Sequence, residues 1–439
     1  MALRHKLIAA RSLGTKAWMH FRTHGAASTA SVVYNRLRHG AAHGAHAANI
    51  PIGSASSPFA NETARLARDV FSKSQIAIIG DMNLPQCKKY RMLQKLEILE
   101  DANHAATHSH WQDLQRATNL LQLATAAIFY RVPAGPEYTY YLEECRRLGV
   151  KVIYDLDDPI FSSEIYKANV NLDFLTLAER THLLSGCASY LMAMRAADHL
   201  IGSTPRICDE MRKLTGRPVT LWRNLIDGEA RHAANRTISN ATVQESPSDR
   251  VQIVYASGSR AHEADFRVIG APLLAHMEAH ENVDLHVIGY LELPDAFEKF
   301  EGRITSAQFT DFPDYLSELS RCDYGIIPLV DDVFNDCKSA IRYLDAALVK
   351  LPVIASATGD FKHVCKHDET ALLAHNEADW ADALTQLTKS SAERSRLGGA
   401  AYLDATATQT TKDYYYRLDR SLRTLLTPDA PMVELNNAA

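Results

Sequence analysis

The sequence predicts an α/β protein made of two tandem doubly wound domains behind a basic N-terminal extension, and three observations predict it. Short apolar runs alternate with helical patterns, as they do where helices cover both faces of a parallel sheet. The alternation stops in a polar stretch at residues 229–249 and then restarts. A chain of 439 residues is long enough for two full domains with additions.

The extension comes first. Residues 1–61 contain no Asp or Glu, yet carry Arg4, Lys6, Arg11, Lys16, Arg22, Arg36 and Arg38. Leu3, Leu7, Ile8, Leu13, Trp18 and Phe21 can line one side of a basic helix. Such a helix, within residues 1–40, would lie on an anionic membrane surface, each basic residue contributing about 1 kcal/mol. An organelle-type leader and an unstructured tail are the competing readings. Residues 39–57, rich in Ala, Gly and His, read as a linker.

The first alternation has strands at Ile76–Gly80, Ala126–Tyr130, Val152–Asp155, His199–Ser203 and Val219–Trp222. Helices are predicted near 88–101, 136–148, 173–196 and 205–214. The second has strands at Gln252–Ala256, Asp284–Ile288, Ile304–Gln308, Tyr324–Pro328, Val353–Ala355 and Ala371–Ala374. Asp413–Leu426 reads as a terminal helix. The expected divisions are an extension and linker at 1–60, a first domain at 61–232 and a linker at 233–249. A second domain follows at 250–405, then a C-terminal helix at 406–427 and a tail at 428–439.

Composition narrows the partners. A net charge of −5 argues against nucleic acid. Seven scattered cysteines with no C-x-x-C pair suit a reducing, cytoplasmic compartment and argue against structural zinc. No window holds eighteen uninterrupted apolar residues. His104, His108 and His110 have near-metal spacing, but no nearby Cys or acid completes a set, and their surroundings read as an exposed segment.

The segment richest in chemistry is Phe334-Asn335-Asp336-Cys337-Lys338-Ser339-Ala340-Ile341-Arg342-Tyr343-Leu344-Asp345. Lys338 and Ser339 enter an amphipathic helix, where free backbone N–H groups and the helix dipole favour a phosphate. Asp345 lies about two turns on, within reach of a ribose whose diphosphate sits at the helix start. Upstream, Val254–His262 runs from a strand into a Gly258-Ser259-Arg260 turn, where the backbone can approach a phosphate closely and Arg260 can fork onto its oxygens. An ordinary strand–helix turn accounts for Gly258 and Ser259 but not for Arg260.

This segment resembles the nucleotide-sugar site of the retaining GT-B glycosyltransferases, in which seven residues separate two glutamates. The pattern Phe-Asn-x-x-Lys-Ser-x-x-(Arg/Lys)-x-x-acid is similar to a branch active on surface polysaccharides and glycolipids. The resemblance spans roughly residues 75–425. It implies a GT-B arrangement of two Rossmann-like domains, with a nucleoside-diphosphate-sugar as donor and a glycan or glycolipid as acceptor. It also implies retention of anomeric configuration, with no cofactor and no required metal. Asp345 stands where the ribose-binding acid would be, and Cys337 where the first glutamate would be. Gly258, Ser259, Arg260, Gly289, Asn335, Lys338 and Ser339 complete the implied donor site. After the first strand, Pro85–Arg91 resembles an acceptor-facing loop, with Tyr90 and Arg91 as the implied contacts. A solvated helix start is the other reading of that segment.

Val152–Pro159 carries Asp155, Asp157 and Asp158 at a strand end. The resemblance places this end near the reacting sugar carbon, with Asp157 or Asp158 as catalytic candidates. Asp158-Pro159 also reads simply as a strand end capping the next helix. Asp155-x-Asp157 alone fits the metal-binding signature of the single-sheet glycosyltransferases. Sugar-nucleotide epimerases also use tandem doubly wound domains. The replacement of a glutamate by Cys337 leaves open a catalytically weakened binding or scaffold subunit of a glycan assembly complex.

Overall fold

The computed structural model describes residues 75–173, 175–241, 249–257, 262–308 and 311–427, which form two compact units. The basic extension, the 428–439 tail and Gly258, Ser259 and Arg260 lie outside the described residues.

The first unit is a six-stranded parallel sheet in the order β2-β1-β3-β4-β5-β6. Its strands are β1 (Gln75–Gly80), β2 (Ala105–His110), β3 (Ala126–Tyr130), β4 (Lys151–Leu156), β5 (His199–Gly202) and β6 (Val219–Leu221). Central strands of such a sheet are covered on both faces, so they read as unbroken apolar runs rather than alternating ones. Ile76-Ala77-Ile78-Ile79 and Ala126-Ala127-Ile128-Phe129-Tyr130 are runs of this kind and are fully buried. The covering helices include α1 (Gln94–Asp101), α2 (Leu114–Leu121), α3 (Pro136–Leu148), α4 (Leu177–Ala196, in this unit from Gly186 on) and α5 (Pro205–Thr215).

β2 corrects the sequence reading. Ala-Ala-Thr-His-Ser-His has little β-branched character, and it reads as an exposed segment, yet it pairs with β1 from Ala105 to His110 as the edge strand. An edge strand has a paired neighbour on one side only, and this one is less buried than the central strands, so its composition can stay weak. His108 sits low in basicity there, through burial and then the nearby Lys88 and Arg116. Among the described residues no group of His, Cys, Asp and Glu is arranged to hold a metal ion.

The second unit repeats the architecture in the order β12-β11-β10-β7-β8-β9, again all parallel. Its strands are β7 (Val251–Ser257), β8 (Val283–Gly289), β9 (Ile304–Ala307), β10 (Tyr324–Ile327), β11 (Val353–Ser356) and β12 (Leu372–Ala374). Its main helices are α6 (Gly228–Ala241), α7 (Glu263–Ala279), α8 (Phe312–Ser320), α9 (Ile341–Leu348), α10 (Glu377–Lys389) and α11 (Ser391–Thr408). One face of the sheet packs Phe266, Leu273, Trp380 and Leu384. The other packs Leu316, Tyr343, Leu344 and Leu348.

Two expected boundaries move. Residues 229–241, read as part of the polar stretch between the domains, form α6, whose buried Ala230, Ala233 and Ala234 join the core of the second unit. Alanines at this spacing make a narrow helical stripe that a search for large apolar residues passes over. Ser162–Ser185 belongs to the second unit as well. There Tyr166 packs on Phe334, ring centroids 5.3 Å apart, and Asn171 Oδ1 accepts from the Asp265 amide at 3.3 Å.

The C-terminal residues belong to the first unit and form two short pieces. A 3₁₀ turn at Tyr414–Arg417 precedes α12 (Arg420–Leu426). Thr411 Oγ1 lies 2.6 Å from Glu97 Oε1, and the Asp413 amide donates to Asp101 Oδ2 at 2.8 Å. Among the described residues no helix is long and apolar enough to cross a membrane.

Candidate active site

In open parallel sheets ligands bind beyond the carboxyl ends of the strands, where the strand order reverses. In the second unit the reversal lies between β10 and β7, and the residues beyond these ends form one connected set. The turn 335–338 is braced from two sides. Asn335 donates through Nδ2 to Asp265 Oδ1 (2.8 Å) and to the Val330 carbonyl (3.1 Å). After β11, the Gly359 amide donates to Asp336 Oδ1 (3.1 Å) and the Asp360 amide to the Lys338 carbonyl (3.1 Å). Gly359 has φ +62°, and a Cβ there would lie 2.9 Å from the Asn335 carbonyl oxygen. The bracing holds Lys338 and Ser339, both half-buried, immediately before α9. The Lys338 ammonium lies over the Phe334 ring, 5.0 Å from its centroid.

Arg342, in the first turn of α9, points toward the end of β7, with Nη1 3.5 Å from the Ala256 carbonyl. Asp345 follows on the same helix and is buried, 7% exposed. At the start of α7, His262 Nδ1 lies 2.8 Å from Asp265 Oδ2. Asp265 is fully buried and also accepts from the Val330 amide at 3.0 Å. Burial would raise its carboxyl, but the His262 hydrogen bond and charge outweigh that, with the Val330 and Asn171 bonds adding, and hold it down at about 2. An ionised Asp265 keeps the imidazole proton on Nδ1 and leaves Nε2 as the free lone pair.

Gly289 ends β8 with φ +95°, and a Cβ there would sit 1.8 Å from the Ser257 carbonyl oxygen. No side chain fits between the paired ends of β7 and β8. Gly289→Ala is therefore expected to cost about 2–4 kcal/mol through strain and overpacking. Thermal unfolding checks this, and an unchanged melting temperature would show that the strand ends can separate freely.

In the first unit the comparable edge is acidic and clamped. Arg131 follows β3 in the left-handed conformation (φ +51°), which turns its guanidinium toward the end of β4. It pairs with Asp157, Nε to Oδ1 at 2.8 Å, and with Asp158 Oδ2. Tyr130 Oη donates to Asp157 Oδ1 at 3.0 Å. Burial would push Asp157 up, but Arg131 and then Arg91 more than offset it and keep the carboxyl ionised below its usual range. Asp158 is the more accessible of the two, 33% exposed against 15%. Beside them Cys87 is pushed up to about 12, chiefly by burial, so its thiol stays protonated.

Residues 252–390 match the family described as glycosyl transferases group 1. The sequence matches no curated protein. Among solved structures, the chain is similar to sucrose-phosphate synthase from Thermosynechococcus elongatus (TM-score 0.54, 13% identity, 80% of this chain and 99% of that one). It is similar to the Anabaena protein Alr3699/HepE in complex with UDP and glucose (0.52, 12%, 80% and 100%). It also resembles the N-terminal domain of Candida albicans trehalose-6-phosphate phosphatase (0.50, 11%, 81% and 97%). The fold is of the GT-B class.

On the second sheet of this GT-B fold, Asn335, Lys338 and Ser339 follow the carboxyl end of β10, Gly289 ends β8, and Asp345 lies further along α9. Asn335 and Gly289 serve as scaffold there, the one bonded to Asp265 and the other without a side chain. Cys337 is fully buried, so its thiol is not presented to a ligand.

Arg91 is corrected outright. It is fully buried, donating from Nε to Asp155 Oδ2 (3.2 Å) and from Nη1 to the Trp222 carbonyl (2.8 Å) and Asn224 Oδ1 (2.9 Å). Its guanidinium is spent on the fold and cannot face an acceptor. Its neighbour Tyr90 is half-buried in a π-helical turn, Lys88–Leu93. Asp155 is occupied likewise, with Lys95 Nζ 2.7 Å from Oδ2. That removes the first carboxylate of the Asp155-x-Asp157 metal reading. Arg131, Tyr130, His262, Asp265 and Gly359 received no role from the sequence. Arg342 was present only as a permitted residue in the family pattern.

Proposed function

We propose that this protein transfers a sugar from a nucleoside-diphosphate-sugar to a glycan or glycolipid acceptor with retention of configuration. The observation that carries the reading is the placement of Lys338, Ser339 and Arg342 around the start of α9, with Asp345 further along the same helix, inside the segment that matches glycosyl transferases group 1. UDP and glucose in the Anabaena neighbour fit a donor of this class.

Lys338 and Arg342, with Arg260, neutralise the diphosphate as it leaves, and Asp345 holds the ribose hydroxyls. Negative charge on the leaving oxygen grows toward the transition state, so cations fixed in advance lower the barrier. The acceptor oxygen bonds to the anomeric carbon as the carbon–phosphate oxygen bond breaks, and the acceptor proton passes to the departing phosphate. No side-chain nucleophile or metal enters this route. On the first unit, Asp158 is the better placed of the two acidic candidates to meet a ligand, because Asp157 is held by both Arg131 and Tyr130.

A thermal-shift panel of UDP, GDP, ADP and dTDP, each with EDTA or Mg²⁺, tests the donor site. A bound nucleotide at a hundred times its dissociation constant should add about 2.7 kcal/mol of stability. A base-selective shift that persists in EDTA and disappears in Asp345→Ala is the expected result. Silence from the whole panel in a folded protein would favour the binding or scaffold alternative that the buried Cys337 motivates.

A further inference from the structure

We infer that His262 is a further diphosphate contact, and that it takes up a proton when the donor binds. The inference rests on the donor-site reading above and adds a proton to its chemistry.

The geometry is specific. His262 sits at the entry to α7, its Nδ1–H committed to the buried Asp265, which is in turn held by Val330 and Asn335. The imidazole therefore has one orientation, and its Nε2 makes no hydrogen bond among the described residues. The charged and titratable groups facing it come from each neighbouring element. Asp265 comes from α7, Lys338 from the turn before α9, Arg342 from α9, and Tyr255 from β7, whose hydroxyl donates to the His262 carbonyl at 3.3 Å. Two of these are the cations assigned to the diphosphate, so an anion between them lies in the field of the imidazole as well.

With no anion present, burial is the main influence holding His262 down, at about 4; Asp265 opposes it, while Arg342 and Lys338 add to it. A diphosphate reverses the field. A unit anion about 4 Å away at an effective dielectric of about 20 moves an imidazole's midpoint up by about three pH units. The folded, ligand-bound imidazole then titrates near neutrality, with its Asp265 bond intact and Nε2–H donating to a phosphate oxygen. The sign follows from linkage: the bound state holds more protons than the free state between these two midpoints. Affinity must therefore rise as pH falls through the upper one. Between pH 8 and pH 6 the expected gain is about tenfold.

Calorimetric titration with UDP, GDP, ADP and dTDP at pH 8, 7 and 6 tests this on the full chain. His262→Asn is the main variant, because its amide reproduces the Nδ1–H bond to Asp265 and cannot titrate. His262→Gln serves as a second variant should the first fail to fold. The nucleotide's own phosphate titration is common to all three proteins and cancels in the comparison. The expected result is that one nucleotide gains about tenfold more affinity on acidification in wild type than in either variant, with proton uptake visible as a buffer-dependent heat. Equal pH slopes and equal uptake in wild type and variant would overturn the inference while leaving the donor site standing. Absence of binding by every nucleotide to folded wild type would overturn the donor reading and this inference together.

Discussion

Asp155→Ala is expected to destabilise the first unit by about 3–5 kcal/mol, because it strands two cations in the interior. Arg91 and Lys95 both turn to this carboxylate, and all three side chains are sealed from solvent. Burial, then repulsion from Arg91, pulls Lys95 down to about 7 although Asp155 opposes both. Losing Asp155 removes the one anion in contact with either among the described residues, so Lys95 is expected to shed its proton and Arg91 to remain charged without a counter-ion. Urea unfolding at pH 7, compared with Asp155→Asn, measures the effect. A loss below about 1 kcal/mol would mean that water reaches the site and solvates Arg91. The same network sets a pH trend in wild type. Lys95 binds a proton less readily in the folded chain than in the unfolded one, so stability should climb from about pH 7 toward the ordinary lysine midpoint near 10.4.

Lys338→Ala and Arg342→Ala are the second large effect, read in catalysis rather than stability. Each removes a cation from the proposed leaving group, and loss of one such preorganised group typically costs about 10²–10³ in rate. Both side chains are half-buried and neither anchors the core, so melting temperatures should stay close to wild type. The measurement is kcat/KM for sugar transfer from the donor that the nucleotide panel selects. A loss carried entirely by a raised KM, with kcat unchanged, would assign these residues to binding shared equally by ground and transition states. Unchanged kinetics in both would remove them from the site.

How much of this was legible in sequence follows the distance over which each feature is built. The parallel strands were legible because burial on both faces leaves long apolar runs such as Ile76–Ile79 and Ile253–Tyr255. β2 was not, since an edge strand of Ala, Thr, Ser and His borrows its stability from β1. The closeness of Lys338, Ser339 and Asp345 along the chain was legible because one turn and one helix carry all three. Arg91 was misread because its fate is decided by Asp155, 64 residues away, and by Trp222 and Asn224, 131 and 133 residues away. Arg131 matters through a left-handed backbone at one strand end and carboxylates on the next strand, and neither leaves a mark on the residues around it. Asp265 likewise acts through Val330, Asn335 and Asn171, 65, 70 and 94 residues distant.

The C-terminal segment has a consequence for synthesis. Thr411, Asp413 and Tyr414 contribute to the first sheet's unit, where the Tyr414 hydroxyl accepts from the Arg223 amide at 3.1 Å and Tyr415 packs on His104 with centroids 4.7 Å apart. A ribosome delivers the strands β1–β6 first and these residues last. The second unit draws on nothing beyond Thr410, so it has all its parts while the first unit still lacks its final ones. The unit begun first is thus the one finished last. Until those last residues emerge, the surface around His104, Glu97 and Asp101 stays uncovered. A released chain ending near residue 410 would display it to chaperones and proteases, with every part of its second unit already present.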